Sequence, residues 1–183
     1  MVDAGALLVA LATGAGVVAA TPLGDVRWSV VLVLVATGLL AGAGLASGQD
    51  ATATVVLVPA AVAFACAGML FARVFHEPAF VLAIPLLVAA LELVGGDVRT
   101  DATDTVDRVL ASSVFFLAVF ATWARRDGRL RRGPTLVALA LAPALAGLVG
   151  DLVDGFGTAP IAFVAAALLV PNADRLVREP AGA

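Results

Sequence analysis

The stretch Ala124–Pro134, "ARRDGRLRRGP", decides how this chain is threaded. It holds five arginines, Arg125, Arg126, Arg129, Arg131 and Arg132, in a sequence otherwise dominated by alanine, valine, leucine and glycine. The 183 residues are 62% hydrophobic and 14% charged, and the mean hydropathy is +1.07. Soluble domains sit nearer ~45–50% apolar and about 25% charged. A chain of this length has too little polar surface to cover so much apolar side chain in water, so hydrocarbon is the expected solvent for much of it. The expected fold is all-α: a polytopic integral membrane helical bundle forming one domain over residues 1–183. In such a chain an arginine cluster acts as a topological anchor, because loops rich in Lys and Arg stay on the cytoplasmic side.

Working outward from that loop, seven apolar segments approach the ~20 residues that a transmembrane helix needs. They are Asp3–Ala20, Trp28–Ala46, Thr52–Ala72, Pro78–Gly95, Val109–Ala124 (begun about a turn earlier), Pro134–Gly150 and Thr158–Pro171. The last is short and could extend through Asn172, so six spans are the alternative count. With the arginine loop inside, alternation places Arg27, Arg73 with His76, and Arg175 with Arg178 inside as well. Nine of the eleven arginines then face the cytoplasm, the N-terminus lies outside and the C-terminus inside. Trp28 and Trp123 fall at the inner interface, where indole rings prefer to sit. The first segment has no basic leader, so it reads as a retained span rather than a signal peptide.

Several features describe the interior. Pro59, Pro85 and Pro143 interrupt three spans; helix breaks at membrane depth mark binding sites in some transporters. "GAGVVAA" and "GLLAGAGLASG" carry small residues at helical spacings, which lets backbones approach closely. They predict a tight bundle and offer a face for a second copy or another membrane protein. Cys66, the single cysteine, lies in an apolar run and reads as a small packing residue.

Polar candidates are few. Glu92 is the one ionisable residue convincingly inside a span, near its outer end, where Asp97, Arg99 and Arg108 lie within reach. Glu92, Asp97 and Arg108 are therefore the candidates for cation or proton transport. The alternative is a helix-end carboxylate solvated at the interface. The outer loops are acidic, as in proteins adapted to high salt. Asp101, Asp104, Asp151 and Asp154 are the candidates for holding Mg²⁺ against a diphosphate. Two such aspartate-rich loops resemble those of membrane prenyltransferases, although this chain is shorter and lacks the asparagine of that motif. "DLVDG" resembles the opening of the CDP-alcohol phosphotransferase signature, without the Ala-Arg pair that should follow. Seven spans with an outer N-terminus resemble microbial rhodopsins in topology, but a chain without lysine cannot form their retinal Schiff base.

No Walker, HExxH or GxSxG element occurs, and a single histidine cannot build a His-rich metal site. A net charge of -3 and the lack of a basic-aromatic motif give no reason to expect nucleic acid as a partner. The expected function is a non-catalytic membrane component or accessory subunit of the cell membrane, with the lipid bilayer as its partner and no cofactor. A small-solute or ion transporter built on Glu92 and the proline-interrupted helices is the second reading. A metal-dependent enzyme with acidic outer loops is the third. The arginine loop is also suited to anionic lipid head groups.

Overall fold

A computed structural model of the chain describes residues 4–21, 53–95, 102–152 and 160–178. All regular structure among them is helical. In chain order the helices are α1 (Ala4–Ala20), α2 (Ala53–Val74), α3 (Pro78–Gly95), α4 (Ala102–Arg126), α5 (Arg132–Leu152) and α6 (Pro160–Leu169). A 3₁₀ turn at Val170–Asn172 then leads into α7 (Ala173–Arg178). The expected segment Trp28–Ala46 lies outside the described residues.

The apolar runs dictate most of these elements, and local chemistry sets their ends. Pro78 opens α3, where its missing N–H costs nothing. Pro171 falls in the 3₁₀ turn, where the α-helical pattern ends. Pro85 and Pro143, by contrast, sit inside continuous helices, so neither divides its helix into two. Two boundaries depart from the sequence expectation. The fifth segment is helical from Ala102 and runs to Arg126, taking in part of the expected acidic loop. Aspartate and threonine at residues 104–107 suit the first turns of a helix, where the backbone dipole is positive. The last segment is α-helical for only ten residues, Pro160–Leu169, about 15 Å at 1.5 Å per residue. That is half of a ~30 Å hydrocarbon core.

By length and composition, one helix among the described residues can cross a membrane, through the 18-residue window Arg132–Val149. The apolar stretches Ala10–Ala20, Ala61–Val74 and Pro78–Glu92 are shorter.

The bundle is built around α4. It packs against α1, α2, α5 and α6, while α3 lies outside against α6, and α1 runs along α5. Every residue from Leu117 to Ala124 is consequently buried. Close packing is bought with glycine at two crossings. A Cβ on Gly68 would overlap the Phe115 carbonyl oxygen of α4, and one on Gly14 would overlap the Ala140 carbonyl oxygen of α5. The small-residue packing expected of the first segment is thus realised at Gly14. Cys66 is buried in the core, as expected. An unbroken chain of ring contacts stiffens the α2–α4 seam. It passes from Phe80 to Phe75 (5.4 Å), Phe71 (4.4 Å) and Phe115 (5.7 Å), then through Phe116 and Phe120 to Trp123.

Candidate functional site: a basic cavity at the arginine end

Five chain segments meet at one end of the bundle, and polar side chains tie each helix terminus there to a neighbour. Arg125, at the end of α4, reaches the end of α1. Its Nε donates to Thr21 Oγ1 (2.7 Å) and its guanidinium NH2 to the Val18 carbonyl (3.0 Å). Thr21 Oγ1 itself donates to Val18 O at 2.7 Å. The Val18 carbonyl, in the last turn of α1, thereby gains two side-chain donors.

Trp123 does the same for α2. The sequence places this residue at the membrane interface; the structure buries it at 1% exposure, with its indole Nε1 donating to Ala72 O (3.1 Å) and Phe75 O (2.9 Å). The polar edge of the indole finds carbonyls rather than water, because α2 ends beside it.

Asn172 links the last helix to the loop. It is fully buried, accepts from the Arg131 backbone N–H at 2.6 Å, and donates to Thr135 Oγ1 (2.8 Å) and Leu168 O (2.7 Å). On the surface Arg131 pairs with Asp174 at 2.6 Å, and Arg175 donates to the Arg129 carbonyl at 3.1 Å. Asp127 turns the loop. It accepts from the Arg129 backbone N–H (3.0 Å) and holds the Arg129 guanidinium through Nε (3.0 Å) and NH2 (2.6 Å). Partial burial opposes ionisation of Asp127, but the hydrogen bonds and positive charge of Arg129 outweigh it and hold the carboxyl below its ordinary range.

Beside these links an open cavity of about 390 Å³ lies between the ends of α2 and α4. Arg73, His76, Trp123, Arg126, Asp127 and Arg129 line it. His76 is exposed, with Nδ1 3.1 Å from the Arg73 carbonyl. Among the described residues Arg129 is paired with Asp127, while no carboxylate pairs with Arg73 or Arg126. The anchor arginines therefore divide by task. Arg125, Arg129 and Arg131 bind other parts of the chain, Arg126 faces the cavity, and Arg132 is exposed without a pairing carboxylate among the described residues.

At the opposite end, Glu92 accepts from the backbone N–H groups of Ile161 (3.2 Å) and Ala162 (2.5 Å). It caps the start of α6 from α3, which places its negative charge at the positive end of a helix. Asp97, Asp101 and Asp154 lie outside the described residues. Asp104 and Arg108 fall on the helical backbone of α4, and Asp151 on that of α5. Among the described residues no three potential metal ligands come together, and no buried side-chain nitrogen or oxygen lacks a partner.

Sequence reasoning passed over Asn172, Thr135 and Thr21 as working residues. A lone asparagine closing an apolar run was the one available signal. Comparison with protein-family models, with curated proteins and with solved structures finds no match.

Proposed function

We propose that the chain is a multi-pass membrane protein with its arginine end in the cytoplasm, acting as a non-catalytic membrane component. The observation that carries this reading is where leucine points. Leu82, Leu86, Leu87 and Leu91 form an outward face on α3, and Val137, Leu141 and Leu145 form another on α5, with Leu91 62% and Val137 61% exposed. Isolated apolar side chains on a surface are ordinary, but stripes at i, i+4, i+8 are not. Burying such a side chain gains ~1.5–3 kcal/mol. Seven half-exposed ones left in water would forgo on the order of 5–10 kcal/mol, as much as a whole domain's stability. Hydrocarbon removes that cost.

The polar groups support the same reading. They sit at helix ends and close each other's backbone valences, as a medium without water demands. The α6 helix and its 3₁₀ turn span ten plus three residues, about 20 Å. Against a ~30 Å core, this reading has α6 begin inside the slab, with Glu92 as the acceptor that lipid cannot supply. Glu92 thus has a structural task, which weakens its use as a transport group. The count of seven spans, or six, and the outward N-terminus belong to the same proposal.

The test is labelling from one side. Cys66 is buried, and a side chain at Gly128 meets nothing within 4 Å. Gly128→Cys is expected to resist a membrane-impermeant maleimide in intact cells and to react in inverted vesicles. Reaction in intact cells overturns the orientation. A chain that stays in solution without detergent overturns the membrane reading itself.

A further inference from the structure

We propose that the cavity between the ends of α2 and α4 is a binding site for a phosphate group, supplied by the head group of an anionic phospholipid in the inner leaflet; the lipid source rests on the membrane reading above. Three observations carry it. First, Arg73 from α2 and Arg126 from α4 line the same cavity, although 53 positions separate them in the chain, and among the described residues neither has a carboxylate partner. Second, the other charged pair on the cavity wall, among the described residues, is internally matched: Arg129 is held bidentately by Asp127. Third, the local backbone does not consume the excess. The C-termini of α2 and α4 contribute roughly half a negative unit each, about one unit against two guanidinium groups. Trp123 already donates to Ala72 O and Phe75 O, so those carbonyls do not need the arginines.

Among the described residues the site is left with about one net positive charge, which matches a phosphodiester. Guanidinium forks present paired N–H donors suited to phosphate oxygens. The volume, about 390 Å³, admits a phosphate and its glycerol. Trp123 lines the cavity and donates to the Phe75 carbonyl. Val74 and Phe75, which follow Arg73 in the chain, expose their apolar side chains and offer an acyl chain leaving the cavity a hydrocarbon-like contact. Arg125 and Arg131 play no part in this site, since each is bound elsewhere.

The test uses the full chain purified in mild detergent. Native mass spectrometry compares retention of phosphatidylglycerol with phosphatidylcholine, and calorimetry titrates inorganic phosphate in parallel. Arg73→Gln and Arg126→Gln are each expected to weaken phosphatidylglycerol binding about fivefold, the worth of one juxtamembrane cation. Arg132→Gln removes the same charge outside the cavity and is expected to change binding less than about twofold. Thermal midpoints of all three variants confirm that each folds. Inorganic phosphate binding with the same dependence on Arg73 and Arg126, without lipid selectivity, keeps the phosphate site and replaces its source with a soluble ester. Binding of neither probe, or an equal loss in Arg132→Gln, overturns the proposal. If the chain proves soluble without detergent, the membrane reading fails while the phosphate titration, run in water, still decides this one.

Discussion

The two ends of the bundle solve the same problem with opposite chemistry. At the arginine end, helices α1, α2 and α4 present C-terminal carbonyls, and the side chains that meet them are donors: Arg125 on α1 and Trp123 on α2. At the other end α6 presents N–H groups, and the side chain that meets them is an acceptor, Glu92. The sign of each partner follows the helix dipole. The ends also differ in redundancy. Arginine-end links are numerous and cross-connected through Asn172, Asp127 and Arg175, whereas the start of α6 depends on one carboxylate among the described contacts. In an apolar bundle, then, a charged residue is first a candidate for closing a helix end and only afterwards one for chemistry.

Breaking the arginine end at its centre is expected to have the largest effect. Trp123→Ala removes a fully buried indole, opens a void beside Phe120 and orphans the Ala72 and Phe75 carbonyls. Large-to-small changes of this kind cost about 3–5 kcal/mol, to be read as a fall in the thermal midpoint in detergent. Trp123→Phe keeps most of the ring but not the N–H, and is expected to recover more than half of the loss.

Asn172→Leu follows. The side chain is fully buried, and its loss leaves Thr135 Oγ1 and the Arg131 N–H without their partner. Each orphaned polar group costs about 1–3 kcal/mol, so a total of about 2–6 kcal/mol is expected. A double-mutant cycle with Thr135→Val checks the mechanism: coupling below about 0.5 kcal/mol would show that the two residues do not act together.

How much of this was legible beforehand depended on range along the chain. The helical class and most helix centres were written in the apolar runs, and Pro78 marked the start of α3 to the residue. Gly14 and Cys66 behave as their small size in apolar runs indicated. The extra turns of α4 were missed because an Asp- and Thr-rich stretch reads as a loop when hydropathy alone is followed, yet it also favours a helix N-terminus. Glu92 stood out as a lone carboxylate, but its partners lie 69 and 70 residues further on. Arg73 and Arg126 were both visible as anchors. That they share one cavity is a product of the α2–α4 crossing, which Gly68 permits and which no local pattern encodes.

Glu92→Leu and Arg125→Leu sharpen the contrast between single and shared caps. Glu92→Leu leaves two α6 amides without an acceptor and is expected to cost about 2 kcal/mol, since nothing else described meets them. Glu92→Gln keeps a carbonyl oxygen and is expected to cost about 1 kcal/mol or less. Arg125→Leu is expected to cost only about 1 kcal/mol, because Thr21 still donates to Val18 O. Thermal midpoints of the three variants in one detergent give the order. Arg125→Leu matching or exceeding Glu92→Leu would contradict the redundancy argument. In vesicles, a solute flux abolished by Glu92→Gln at unchanged midpoint would restore the transport role that the capping geometry argues against.

The smallest expected effect is a pH dependence at the arginine end. Asp127 has its pKa lowered in the folded chain, chiefly by Arg129 working against partial burial. A carboxyl depressed on folding stabilises the fold above its unfolded pKa, about 3.9, and that contribution fades as pH falls through the lower folded value. The Asp127–Arg129 pair is partly exposed, with side chains 15% and 35% accessible, so screening keeps its worth within the ~0–1 kcal/mol of surface pairs. Asp127→Asn is therefore expected to lower the midpoint slightly at pH 7, and the gap to the parent is expected to close below about pH 4. Added salt should narrow the gap at pH 7 as well. A gap that persists unchanged at pH 3 would mean that the Asp127 side chain shapes the turn through its hydrogen bond to the Arg129 amide, which asparagine would keep poorly, and that its charge contributes nothing.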